Sequence, residues 1–230
     1  MGRCLAVLLA VLCLAPWLAR GAASSAASAA VEPALERFLT RADEPVLEYR
    51  ALRHLEAQNE RFHMNGTLDV MTQLTPDGEF TYKVLRETGS AYIRDRVLRP
   101  VLQAEKKLFA TGDPSRAAIT ASNYDLEGGE PAEPGVIKLF ARPRRHDVAL
   151  VDGAVFVTST DADLLRVEGR LAKNPSFWTT RVDVVKKYER LDGIRVPVRL
   201  DSVAQIRFAG ESTLSVTYEY KEINGTVIAE

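Results

Sequence analysis

The sequence predicts an α+β fold built on a curved antiparallel β-sheet with one helical insertion. Three observations carry that expectation. Polarity alternates over thirteen positions from Val196 to Phe208, with Pro197, Arg199, Asp201, Val203, Gln205 and Arg207 between the residues of the apolar side. Period two is the signature of a strand, whose side chains point alternately to opposite faces. Five Asx-Gly pairs, Asn65-Gly66, Asp77-Gly78, Asp152-Gly153, Asp192-Gly193 and Asn224-Gly225, punctuate such runs and supply the positive-φ residues of tight hairpins. Strands and helices do not alternate along the chain, which argues against a βαβ architecture. A strand this long accumulates enough twist to bend its sheet.

The first segment reads as an address. Arg3 is followed by sixteen uncharged residues, Cys4 to Ala19, and then by the small-residue stretch Ala19 to Ser25. This is the layout of a secretory signal peptide, residues 1–22, with cleavage near Ala22 or Ala23. The full chain has 230 residues, 46% hydrophobic and 27% charged, with 30 Lys+Arg against 31 Asp+Glu. Such a composition supports a buried core and excludes a disordered or polytopic membrane chain. Its near-neutral balance offers nucleic acid no basic footprint. Cleavage removes Arg3, Arg20, Cys4 and Cys13, leaving 28 basic residues against 31 acidic ones and no thiol. The expected location is periplasmic or secreted.

Residues 23–33 are Ala/Ser-rich and read as a flexible leader; residues 34–230 are expected to form a single domain. Ala34 to Arg41 has the spacing of a short helix, with Leu35, Phe38 and Leu39 on one face. Tyr49 to Glu60 suits either a helix or the first strand. Leu68, Val70, Thr72 and Leu74 alternate with polar residues, as do Phe80, Tyr82 and Val84. Helical spacing then returns at Ile93, Val97, Val101, Ala104 and Leu108. Ser90 is placed to cap that helix and Pro100 to kink or restart it. Glu127 to Gly135 reads as a loop, and Val148–Val151 is expected to face Ala154–Val157 across Asp152-Gly153. After the Ala209-Gly210 turn, Leu214, Val216, Tyr218 and Tyr220 continue the alternation in an antiparallel meander.

No constellation argues for catalysis, so the chain is not read as an enzyme, and no cofactor or metal is expected. A Gly-x-Ser-x-Gly elbow, a phosphate-cradling glycine loop and a His-Glu-x-x-His pair are all missing. His54, His63 and His146 match no metal-ligand spacing. Asp161-Ala162-Asp163 lacks the glycine and distal Glu of a calcium loop. A hydrolase assembled by the fold would have to bring Asp161, Asp163 and His146 together. Arg142-Pro143-Arg144-Arg145-His146 is the densest basic cluster, a solvated turn or a contact for anionic lipid headgroups or an acidic partner. Pro175-Ser176-Phe177-Trp178 places Trp178 either in the core or on the wall of an apolar pocket.

Residues 147–225 carry a recognisable layout. Asp147–Gly153 leads into a strand, followed by Leu164–Leu171, Ser176-Phe177-Trp178, Arg181–Tyr188, and Leu191-Asp192-Gly193-Ile194-Arg195-Val196-Pro197. This order resembles the LolA-like family of periplasmic outer-membrane lipoprotein-sorting proteins, and within it an uncharacterised branch. The resemblance implies a half-barrel covered by helices, with Ala34–Arg41 and Ser90–Phe109 as the lid over a hydrophobic cavity. It also implies carriage of lipid or lipoprotein acyl chains. In the lipoprotein carrier proper a cavity arginine on an early strand is important, and Arg50, Arg53 and Arg61 are candidates here. The ligand-facing residues expected are Val198, Leu200, Ile206, Phe208, Val216 and Tyr218, with Trp178 nearby. The competing reading is a protein-interaction module of a cell-envelope complex, which would expose a large apolar patch.

Overall fold

The computed structural model describes residues 32–111 and 114–229. The expected signal peptide, residues 1–22, lies outside the described residues, as does the leader up to residue 31. Residues 32 and 33 already belong to the first helix, α1 (residues 32–40), which buries Ala34 and Phe38 and leaves Leu39 exposed.

Eleven strands form one antiparallel sheet: β1 (Tyr49–Asn59), β2 (Met64–Leu74), β3 (Phe80–Gly89), β4 (Tyr124–Glu133), β5 (Val136–Pro143), β6 (Val151–Thr158), β7 (Leu164–Leu171), β8 (Thr179–Leu191), β9 (Ile194–Ile206), β10 (Gly210–Ile223) and β11 (Thr226–Val227). Their order is β3-β2-β1-β10-β9-β8-β7-β6-β5-β4, with the short β11 added to β10. Each main-path pairing joins strands consecutive in sequence except β1 with β10, which splices the N-terminal hairpins onto the C-terminal meander. The outer edges β3 and β4 do not pair with each other, so the curved sheet stays open as a half-barrel.

Between those edges runs one nearly continuous helical segment: α2 (Ala91–Ile93), a π-helical stretch Arg94–Leu98, and α3 (Arg99–Ala110). Pro100 explains the irregularity. It has no N–H, and its ring collides with the carbonyl four residues earlier, so the preceding turn widens and α3 restarts with the proline at its first positions. Ser90 precedes the helix but makes no side-chain cap; its hydroxyl lies against Met64 Sδ at 3.8 Å.

Two Asx-Gly pairs depart from the expected turns. Asp77-Gly78, Asp192-Gly193 and Asn224-Gly225 do turn the chain, with Asp192 and Asn224 at positive φ. Asn65-Gly66 and Asp152-Gly153 instead lie inside β2 and β6. Their glycines serve close approach. A Cβ on Gly153 would sit 2.1 Å from Glu168 O, and one on Gly66 would sit 3.1 Å from Ile93 Cγ2. Val148–Leu150 therefore forms the turn before β6 rather than a facing strand. Glu127–Glu133 is likewise part of a strand, the irregular edge β4, whose pairing slips at Glu127/Glu130 and Pro131/Glu133. Prolines are tolerated there because an edge strand can lose a ladder hydrogen bond.

Candidate functional site

Alternation along β1 decides which of its arginines turns inward. Tyr49, Ala51, Arg53, Leu55, Ala57 and Asn59 are buried on the helix-covered face, while the residues between them face out. Arg50 accordingly lies outside beside Glu222, and Arg61 is exposed in the β1–β2 turn. Arg53 alone of the three candidates is under the helix.

Its side chain is 3% exposed. The guanidinium donates from Nη1 to Glu105 Oε2 at 2.5 Å, and from Nη2 to Glu105 Oε1 at 3.0 Å and the Tyr49 hydroxyl at 2.5 Å. Glu105 stands on α3, so this charge pair ties the helix to the sheet. Three rings enclose the cation, Tyr218 at 4.6 Å, Phe80 at 5.5 Å and Tyr49 at 5.6 Å. Burial works against the Arg53 charge, but Glu105 more than restores it, and the group stays protonated with a raised pKa. Burial also pushes the Tyr49 phenol above its usual range. Nε of Arg53 is buried without a hydrogen-bond partner.

Two of the three packed clusters on this face flank a less covered middle. One lies beneath α1, where Ala34 and Phe38 meet Leu139, Leu150, Val155 and Leu164. The other lies beneath the longer helix, where Leu98 and Leu102 meet Leu55, Leu68, Val70 and Val216. That helix packs on β1, β2 and β3. Between the two, Lys186, Val198, Leu200, Ser202, Ala204, Ile206 and Leu214 remain partly exposed on β8–β10. Register places them on the Arg53 face, because Arg53 pairs with Tyr218, Val216 with Leu200, and Leu200 with Lys186. The Lys186 ammonium stands 5.3 Å over the Tyr188 ring, and that phenol holds its pKa up. Tyr218 and Tyr220 stack at 6.3 Å. The result is a partly exposed strip of aliphatic side chains bordered by tyrosines and by the Arg53 and Lys186 cations.

The expected ligand-facing residues divide into three groups. Val198, Leu200, Ile206 and Tyr218 belong to this partly exposed strip, whereas Val216 is buried beneath α3. Trp178 and Phe208 sit elsewhere, exposed at the end of the sheet and in edge-to-face contact at 6.2 Å. Sequence reasoning had no means of choosing Glu105, which is one of several charged residues on its helix. His146 lies at the end of the sheet where β6 begins, and Asp161 and Asp163 in the turn where it ends, so the three do not form a site. Asp161 instead accepts from Thr158 and Thr160, and Asp163 pairs with Arg190. Among the described residues no group of three or more His, Cys, Asp or Glu is placed to hold a metal.

No family model and no curated protein matches the chain. Among solved structures, it is similar to a LolA superfamily protein from Nitrosomonas europaea, at 9% identity and a TM-score of 0.41, covering 87% of this chain and 97% of that one. A DUF1329 family protein from Desulfovibrio piger is 10% identical with a TM-score of 0.33, covering 85% of this chain and 91% of that one. MucB is 15% identical with a TM-score of 0.24, covering 84% and 93%. The strand order and the helices on one face form an open antiparallel half-barrel, the architecture that the sequence predicts.

Proposed function

We propose that this chain is an exported, non-catalytic carrier or binding protein for a hydrophobic ligand of the lipid or acyl-chain class. The supporting observation is the partly exposed apolar strip on the helix-covered face. Helices bury the two ends of that face and leave its middle partly open, where Val198, Leu200, Ile206 and Leu214 offer aliphatic contacts. Apolar surface with a few polar groups beside it is the usual lining of a ligand site. Tyr218, Lys186 and the Arg53–Glu105 pair would border the polar end of a ligand, while the chain lies along β9 and β10. Residues 1–22 would direct export, leaving residues 34–230 as one domain in the periplasm or outside the cell. No helix among the described residues is long and apolar enough to cross a membrane.

Native mass spectrometry of the protein recovered from the cell envelope tests this reading. The expected result is a co-purified lipid whose occupancy falls in Leu200→Asp, together with a ligand-dependent rise in Tm. A ligand-free protein whose Tm ignores added fatty acids and phospholipids would overturn it.

A further inference from the structure

The strand directions bring four hairpin loops to one end of the sheet. Asn59 pairs with Ser212, Thr179 with Ile206, Arg170 with Asp183, and Val151 with Leu171. The turns 60–63, 144–150, 172–178 and 207–209 therefore share one rim. The turns 75–79, 134–135, 159–163, 192–193 and 224–225 share the other.

The two rims differ in charge. The first set holds Arg61, Arg144, Arg145, Lys173 and Arg207 against Glu60 and Asp147. The second holds Asp77, Glu79, Asp161, Asp163 and Asp192 and no basic residue. At the basic rim, Arg61, Lys173 and Arg207 form no ion pair among the described residues, although Arg144 and Arg145 meet Asp125 and Asp147. A groove of about 430 Å³ lies beside this rim, lined by Arg142, Arg170 and Arg181, which pair with Glu127, Asp152 and Asp183.

The same loops carry exposed apolar side chains: Phe62, Val148, Phe177, Trp178 and Phe208. Phe177 and Phe208 are 76% and 78% exposed. The aromatic rings are organised. Phe177 meets Trp178 edge-on at 5.5 Å, Trp178 meets Phe208 at 6.2 Å, and the Arg207 guanidinium stands 5.1 Å over Phe177. A backbone hydrogen bond from Arg207 N to Trp178 O at 2.8 Å locks two of the loops together. Phe208 holds this place at φ 63, a conformation that bulky side chains rarely adopt.

Bare aromatic rings at loop tips, with cations behind them, match the two layers of a bilayer surface. Trp and Phe partition into the headgroup–acyl boundary, and Lys and Arg are attracted to anionic headgroups. From this arrangement we infer that the rim is a docking surface for a membrane bearing anionic lipid. The acidic opposite rim faces away from the bilayer. Docking orients the open sheet with its strand ends toward the lipid; it stands on the rim alone and does not require the carrier reading.

Vesicle flotation tests it, using the protein recovered after export, its processing verified by intact mass. The probes are phosphatidylglycerol/phosphatidylethanolamine vesicles and phosphatidylcholine vesicles. The protein is expected to float with the first, in a salt-sensitive manner, and only weakly with the second. Arg61→Gln with Lys173→Gln should weaken binding about 25-fold, since each cation near the surface contributes roughly a factor of five. Phe177→Ser, Trp178→Ser and Phe208→Ser together should abolish flotation, whereas Leu47→Ser with Val227→Ser, outside these loops, should leave it intact. The charge variant retains the aromatic cluster and so reads docking even if the triple variant misfolds. Absence of flotation by the native protein, or flotation unchanged in the charge variant, would overturn the inference. Rim-dependent capture of a polypeptide without vesicle binding would assign the surface to a protein partner and overturn it as well. Co-purified ligand is read separately, so either proposal can fail alone.

Discussion

Replacing Glu105 by Ala removes both carboxylate oxygens that Arg53 reaches from beneath α3. Arg53 is 3% exposed and bonded to Glu105 at 2.5 and 3.0 Å, so truncation strands a guanidinium where water scarcely enters. Removing one member of a buried ion pair costs about 3–5 kcal/mol. The lower end applies here, because the Tyr49 hydroxyl and three aromatic rings still contact the cation. Glu105→Ala is therefore expected to cost about 3 kcal/mol. Arg53→Met should cost less, about 1 kcal/mol, since it removes the buried charge and leaves a partly exposed carboxylate that can turn to water. Arg53→Met with Glu105→Leu should return to within about 1 kcal/mol of the native protein. Urea unfolding followed by circular dichroism, analysed as a double-mutant cycle, measures all three. Equal losses for the two single variants, or a loss below about 1 kcal/mol for Glu105→Ala, would refute the account of a desolvated cation held by its partner.

Acid stability should follow a small set of carboxylates. The Thr158 and Thr160 hydroxyls lower Asp161 to about 2. Burial opposes ionisation of Asp163, but hydrogen bonding and charge from Arg190 outweigh it and lower its pKa. The folded pKa values lie below the unfolded ones, so this stability is fully present above about pH 4 and is lost as pH falls toward 2. Asp161→Asn should lower Tm at neutral pH, with the difference from the native protein shrinking as pH falls toward 2, so that the acid limb of its pH–Tm curve is flatter. Gly153→Ala forces a methyl group to 2.1 Å from Glu168 O and should cost more than about 2 kcal/mol in urea unfolding. Gly78→Ala has open space around it and should cost only about 1 kcal/mol, through its positive φ. Phe208→Asn should shift unfolding free energy by less than about 1 kcal/mol, because relief of the left-handed backbone offsets the lost ring contact. The same substitution should reduce vesicle flotation, which separates surface function from stability.

Strand content was legible because period two in the chain sends alternate side chains to opposite faces of a strand. The run through Val196, Val198 and Leu200 stays in one strand to Ile206, and then the turn carries Phe208 out of the sheet. The kinked helix was legible from Pro100, whose effect is local and steric. Asp152-Gly153 misled because the dipeptide fits two needs equally well, a left-handed turn or a site of close approach between strands. Local sequence does not say that Glu168 O will lie against Gly153. Ser90 misled in a similar way, since a capping residue type does not fix the direction of its hydroxyl.

The candidate site shows the same division. Alternation made Val198, Leu200, Ile206, Val216 and Tyr218 inward-facing, but coverage separated them. Val216 lies beneath α3 while Leu200 and Ile206 lie beyond it, and helix placement depends on packing among distant segments. Alternation also puts Phe208 on the inward side, with Trp178 nearby, yet the β9–β10 and β7–β8 turns carry both to the rim.

By itself the sequence placed both cysteines among its first 13 residues and predicted long alternating strands, joined by short turns, as an antiparallel sheet. Those properties depend on composition and near-neighbour pattern. Only the tertiary structure decided that β1 joins β10, that Arg53 rather than Arg50 or Arg61 meets Glu105, and that basic and acidic hairpin loops part to opposite ends. Each of these joins residues far apart in the chain, and their distances are set by strand register and helix packing rather than by local preference.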